Sequence, residues 1–271
     1  MSAEDLAPDL AGAALRRRLS VSLLACVPLL VAYEAGVAAT AAAGAPLRNS
    51  SELFLFQAIE LAGGGAPWRW AVLAVVLGLA GLRVALRRWS FAEGALWSLL
   101  EGAGLGLLLA PVMMLLLGAL GWLPGAQLAD AAGAVAGPPP LERMALVVGG
   151  AFWEELLFRF VLFAAVLAVV QSLLKPFVDG DDPPRLPGEV VGVLVTSLAF
   201  AAAHLDAVVG WLGSGGEAYD FGLFAWRAFA GVALAVIART RGLGVAVWAH
   251  AVFNLGVELG SGPGVFLLEP R

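Results

Sequence analysis

Residues Ala92–Leu120 read AEGALWSLLEGAGLGLLLAPVMMLLLGAL, with no charge after Glu101. A bilayer core of about 30 Å requires about 20 apolar residues wound as helix, and this stretch supplies them. Six others fit the same description: Leu19–Ala43, Trp70–Val84, Leu141–Leu174, Glu189–His204, Phe221–Ala238 and Leu243–Leu259. Trp70–Val84 and Glu189–His204 are short, whereas Leu141–Leu174 is long enough to begin or end outside the bilayer. The whole chain agrees: 61% of its 271 residues are apolar and 14% charged, at a mean hydropathy of +0.89. Soluble domains run at about 45–50% apolar and about 25% charged. There are too few charges to coat a surface facing water. The expected fold class is all-α, a polytopic transmembrane helical bundle of about seven spans.

Several classes are excluded. A net charge of −5 leaves no basic face for nucleic acid. The single cysteine, Cys26, excludes an intramolecular disulfide and any CxxC motif. No fixed-period repeat occurs, and no polar segment is long enough for a separate soluble domain. The expected organisation is a cytoplasmic N-terminal segment 1–18, transmembrane helices 19–140 without an assigned motif, a motif-bearing core 141–260 and a tail 261–271.

Loop charges set the expected orientation. Arg16, Arg17 and Arg18 precede the first span, Arg83, Arg87 and Arg88 follow the second, Lys175 and Arg185 follow the fourth, and Arg239 and Arg241 follow the sixth. The alternate loops are poorer in Lys and Arg, which predicts a cytoplasmic N-terminus and an outward C-terminus. A cleaved signal peptide over the first span is the competing reading; its length and the acidic residues before the arginines oppose it. Gly102 with Gly106, and Gly256 with Gly260, have the GxxxG spacing that lets helices approach closely. Trp68, Trp70, Trp89, Trp122 and Trp211 fall at span ends, as in an interfacial aromatic belt. Asp179, Asp181 and Asp182 read as a solvated acidic turn rather than a calcium loop.

Polar residues inside spans carry the chemical information, because a charge at the bilayer centre costs at least about 2.5–3.5 kcal/mol and normally faces a partner or cavity. Three clusters stand out. Phe152-Trp153-Glu154-Glu155-Leu156-Leu157-Phe158-Arg159 lies in the fourth span, Phe200-Ala201-Ala202-Ala203-His204 in the fifth, and His250-Ala251-Val252-Phe253-Asn254 in the seventh. Both histidines of the chain fall in them. Glu155 and Arg159 are i and i+4, so they share a helix face and can pair. Glu154 lies about 100° further round and addresses a different neighbour. His250 and Asn254 are again i and i+4. They lie roughly 10–17 Å in from one face at 1.5 Å per residue, so a meeting with Glu154 and His204 near the midplane is feasible. Glu34, Glu101 and Glu258 are weaker signals; Glu101 is the most interesting because it sits mid-span, with pairing to a polar neighbour as its structural alternative.

Taken in order, Glu-Glu-x-x-x-Arg, Phe-x-x-x-His and His-x-x-x-Asn on successive apolar segments resemble the CPBP family of intramembrane proteases. That family includes type II CAAX prenyl endopeptidases and bacteriocin-processing and immunity proteins. The resemblance covers Leu141 to Leu259; Phe160 departs from it, standing where many members have glycine. It implies peptide-bond hydrolysis in which Glu154 activates water, His204 helps hold or deprotonate that water, His250 and Asn254 stabilise the oxyanion, and Glu155 and Arg159 support the site. It leaves the metal open. Glu154, His204 and His250 form a conventional zinc ligand set, but there is no His-Glu-x-x-His motif, and a metal-free glutamate mechanism with no cofactor is preferred. Structural alternatives are an ion pair for Glu155 with Arg159 and interhelical hydrogen bonding for His250 with Asn254. The expected partners are the lipid bilayer and a membrane peptide or lipidated protein substrate, with no nucleic acid. Composition points to the cytoplasmic (inner) membrane of a bacterium. The alternative function is a catalytically silent binding, scaffold or immunity protein, and a proton-coupled transporter stands third.

Overall fold

The computed structural model describes residues 18–42, 48–61, 63, 67–122, 140–177, 185–210 and 216–260. Arg16, Arg17, Asp179, Asp181, Asp182, Trp211 and the tail 261–271 lie outside them, as do the side chains of Trp68, Arg69 and Arg143.

Every stretch read as a span is helical. The first is broken in two, α1 (Leu19–Ala25) and α2 (Val27–Ala42), bent by 41°. Pro28 explains the break, since its ring removes an amide donor and crowds the preceding turn. Then come α3 (Ser50–Leu61), α4 (Pro67–Leu86) and α5 (Phe91–Ala119). The fourth span is continuous but changes pitch: α6 (Pro140–Glu155) passes into a π-helical segment, Leu156–Leu162, and resumes as α7 (Phe163–Leu174). After α8 (Arg185–Ala202) and the one-turn α9 (Asp206–Val209) follow α10 (Phe221–Arg241) and α11 (Leu243–Gly260). Among the described residues there is one isolated bridge, Leu205 with Glu217, and no strand. Four described helices are long and apolar enough to cross a bilayer, a fifth if the bent α1–α2 pair counts as one span. The apolar helices Trp70–Leu86 and Leu243–Leu259 are shorter.

The chain is a multi-pass helical membrane protein. Leu107, Leu115, Val169 and Leu173 are all more than half exposed on its outer faces, a surface suited to lipid and costly in water. Helix α11 is the central shaft, in contact with α1, α5, α6 and α10. Its small residues Ala246, Ala249 and Ala251 are almost wholly buried and let these neighbours close in. A Cβ on Gly102 would stand 2.5 Å from Trp248 Cβ, and one on Gly106 2.4 Å from the Ala249 carbonyl, so this GxxxG does seat α5 on α11. The second does not behave this way: nothing described lies within 4 Å of a Cβ on Gly256, beyond the contact zone. Helix α10 starts on Asp220, whose side chain accepts from the Leu223 amide at 2.8 Å. It ends at Gly242, whose φ of 110° turns the chain directly into α11.

Helix α3 has no counterpart among the expected spans. Its twelve residues include Glu52, Gln57 and Glu60, so it lacks a continuous apolar run. It nevertheless buries Ser51 and Glu52 against the bundle.

Candidate active site

The two adjacent glutamates on α6 are both buried and face different partners. Glu155 is fully buried. Its Oε1 meets His250 Nδ1 at 2.9 Å, and its Oε2 stands 3.4 Å from Arg159 Nε, at ion-pair range. The Glu155–Arg159 pairing expected from i,i+4 spacing is therefore present, across the start of the π-helical segment. Arg159 Nη2 donates to the Gly231 carbonyl on α10 at 3.2 Å. Its Nη1 has no hydrogen-bond partner among the described residues, but the guanidinium lies 4.8 Å from the Phe200 ring centroid, where a cation gains from the ring face.

Glu154 turns the other way. Its Oε1 accepts from Asn49 Nδ2 at 2.7 Å, and its Oε2 stands 3.5 Å from His250 Nε2. The His250 ring, buried on α11, thus bridges the two carboxylates, one on each nitrogen. Glu154 and Asn254 line a cavity of about 270 Å³ together with Tyr33, Arg48, Asn49, Leu146 and Val147. Asn254 sits one helical turn beyond His250, so α11 brings both to this side of α6.

His204 follows the end of α8. Its Nδ1 bonds the Phe200 carbonyl at 2.9 Å, leaving Nε2 as the ring nitrogen not committed to that turn. Phe200 packs edge-on against both histidines, with centroids 5.1 Å from His204 and 5.6 Å from His250. The loop after His204 is tied back by the Glu217 amide donating to the His204 carbonyl at 2.9 Å. Glu217 in turn is held by a two-point ion pair with Arg227 of α10.

The zinc alternative can be tested on these donors. Among the described residues no group of three or more His, Cys, Asp or Glu side chains is placed to hold a metal ion. Glu154, His204 and His250 are all described, so they do not form such a set here.

Three lining residues come from the N-terminal region, which carried no recognised motif. Tyr33 donates to Glu52, which also pairs with Arg48; Arg48 stands 3.8 Å from Glu34. Burial raises the Glu52 carboxyl above its ordinary range, and Tyr33 and Arg48 oppose that shift. A sequence signal existed at Asn49-Ser50-Ser51-Glu52, which has the N-x-x-E form of a helix start. It announces a helix, not a neighbour of Glu154. Of the weaker acids, Glu101 pairs with Arg241 at 3.0 Å, as expected for a mid-span carboxylate.

The bundle thus buries two carboxylates, a guanidinium and an imidazole together, a costly set for helices that only span. Residues 137–256 match the family model described as type II CAAX prenyl endopeptidase Rce1-like, so this part of the chain is similar to that family of CAAX-type intramembrane proteases. No curated protein and no solved structure matches the chain. Helices α1–α5 lie outside the matched segment.

Proposed function

We propose that the chain hydrolyses peptide bonds of membrane-associated or lipidated substrates, with Glu154 as the base that activates water. The observation that carries this reading is the contrast between the two glutamates. Glu155 is committed to Arg159 and His250, whereas Glu154 borders the cavity with one oxygen held by Asn49. A base must be within reach of its water, and only Glu154 of the pair lines that cavity.

The water oxygen attacks the scissile carbonyl carbon while its proton passes to Glu154. His250 and Asn254 donate to the oxyanion, and His204 helps hold the water. The C–N bond then breaks, and Glu154 returns the proton to the departing amine. His250 Nδ1 faces the Glu155 carboxylate, so donation from Nε2 requires both ring nitrogens to carry protons. Glu155 supports that cation, and Arg159 holds Glu155 in place. No step is routed through a metal. The loop charges favour an N-terminus inside, and the composition favours a bacterial inner membrane, with a membrane peptide or lipidated protein as substrate.

The test is comparative proteomics of membrane peptides from cells carrying wild type or Glu154→Gln, with a membrane-permeable chelator as a further arm. Cleavage products present in wild type should fall roughly 10²–10⁴-fold in the variant, the range for loss of a general base. The folded fraction in detergent should be unchanged, and the chelator should leave the products in place. Full activity in Glu154→Gln would reject the base assignment. Loss on chelation with recovery on added zinc would reject the metal-free mechanism, and identical peptides in both strains would favour a silent binding protein.

A further inference from the structure

We propose that Asn49 is a positioning residue for Glu154, supplied by the N-terminal helices from outside the family-matching segment; this rests on the reading of Glu154 as the base. Every polar group of Asn49 has an assigned partner. Its Oδ1 accepts from the Ser51 amide at 2.8 Å and its backbone carbonyl from the Leu53 amide at 3.1 Å, the pattern of an N-cap at the start of α3. Its backbone N–H donates to the Tyr33 hydroxyl at 2.7 Å, and that hydroxyl donates onward to Glu52. With Oδ1 committed to an N–H, the side-chain amide has one orientation. Turning it over would set the carbonyl oxygen against a carboxylate and the NH₂ against an amide donor. Asn49 Nδ2 is thereby aimed at Glu154 Oε1, 2.7 Å away.

Helix α6 makes room for this contact. Gly150 lies one turn before Glu154, and a Cβ there would stand 2.8 Å from Asn49 Nδ2. Gly149 beside it admits α2, since its Cβ would fall 2.1 Å from Tyr33 Cβ. Two consecutive glycines thus let the N-terminal region reach the glutamate. The consequence is chemical. A neutral donor on Oε1 favours that oxygen as acceptor and fixes the carboxylate plane, leaving Oε2 to take the proton from water. Asn49 does this without adding a cation, while the neighbouring Arg48 is engaged by Glu52. The charged or titratable groups around Glu154 are then His250 on α11, Arg159 in the π-helical segment, His204 after α8, and Arg48 and Tyr33 at the cavity wall.

A substrate-independent experiment tests the assignment. Dicyclohexylcarbodiimide modifies protonated carboxyl groups in apolar surroundings, and mass spectrometry reads its rate at Glu154 in the purified full chain at fixed neutral pH. Asn49→Ser and Asn49→Asp both keep a good N-cap, but the first loses the donor and the second places a like charge against Glu154. Labelling should rise in the order wild type, Asn49→Ser, Asn49→Asp, reaching about tenfold in the last, with all three proteins folded at the labelling temperature. Equal labelling rates in all three proteins would overturn the proposal, leaving Asn49 a helix cap alone. On a membrane peptide that wild type cleaves and Glu154→Gln does not, Asn49→Ser should lower kcat with KM unchanged. If labelling follows the expected order but Glu154→Gln still cleaves, it is the base assignment that fails.

Discussion

The helices before residue 137 and the segment after it contribute to the same site in opposite ways. The C-terminal segment supplies the ionisable groups Glu154, Glu155, Arg159, His204 and His250, on helices whose other residues are mostly apolar. The N-terminal region supplies Tyr33, Arg48 and Asn49, which line the cavity, Asn49 also donating to Glu154. The first set stands out because charge inside a span is expensive. In the second, Arg48 and Asn49 lie just before α3, where polar residues are ordinary, and Tyr33 reads as one more aromatic inside α2; they meet the site through close packing of α2 and α3 on α6. Both regions thus line the cavity, and they share one core. Leu29, Leu30, Tyr33 and Val37 of α2 belong to one buried cluster with Ala151, Phe152 and Trp153 of α6 and Val247 and Ala251 of α11.

Variants can break or sharpen this division. The largest effect is expected for Arg159→Ala, which strands Glu155 as a buried charge. Loss of a buried ion partner costs about 3–5 kcal/mol, so the detergent-solubilised protein should unfold at markedly lower denaturant or temperature. Glu155→Gln should be similar in direction. If neither variant loses stability, Glu155 and Arg159 are not an energetic unit, and the C-terminal segment is less self-contained than its geometry implies.

Asn254→Ala comes next and acts on rate instead. As an oxyanion donor it should lower turnover about 10²–10³-fold with little change in substrate affinity or melting temperature. A change confined to KM would move Asn254 from the chemistry to the cavity wall.

The seam between the regions is tested by Gly149→Ala. The added methyl would overlap Tyr33, an overpacking expected to cost about 1–3 kcal/mol and to pull α2 away from the cavity. Thermal unfolding checks the stability, and carbodiimide access to Glu154 checks the opening. The smallest effect should have the opposite sign. Gly256→Ala meets open space in α11, so the gain in helix propensity should stabilise by up to about 1 kcal/mol. If Gly256→Ala is as damaging as Gly149→Ala, Gly256 packs against a second protein or another part of the chain.

Composition and apolar runs determined the fold class and all seven helical stretches, because a span must satisfy its backbone internally and cover itself with apolar side chains. The same economy exposed Glu154, Glu155, Arg159, His204, His250 and Asn254 as candidates, and their i,i+4 spacing predicted the Glu155–Arg159 contact. Three matters were decided by tertiary structure. The short, partly polar helix α3 has no span-length apolar run, and its burial of Glu52 depends on Tyr33 and Arg48 meeting it there. The two GxxxG spacings are equivalent as text, but Gly102 and Gly106 face a helix while Gly256 faces open space. Above all, Glu154 and Glu155 meet different partners, and one partner of Glu154 is Asn49, more than a hundred residues away in the chain. Local periodicity assigns a side chain to a helix face, but which group waits opposite is set by how closely two backbones approach, and here two glycines allow that approach.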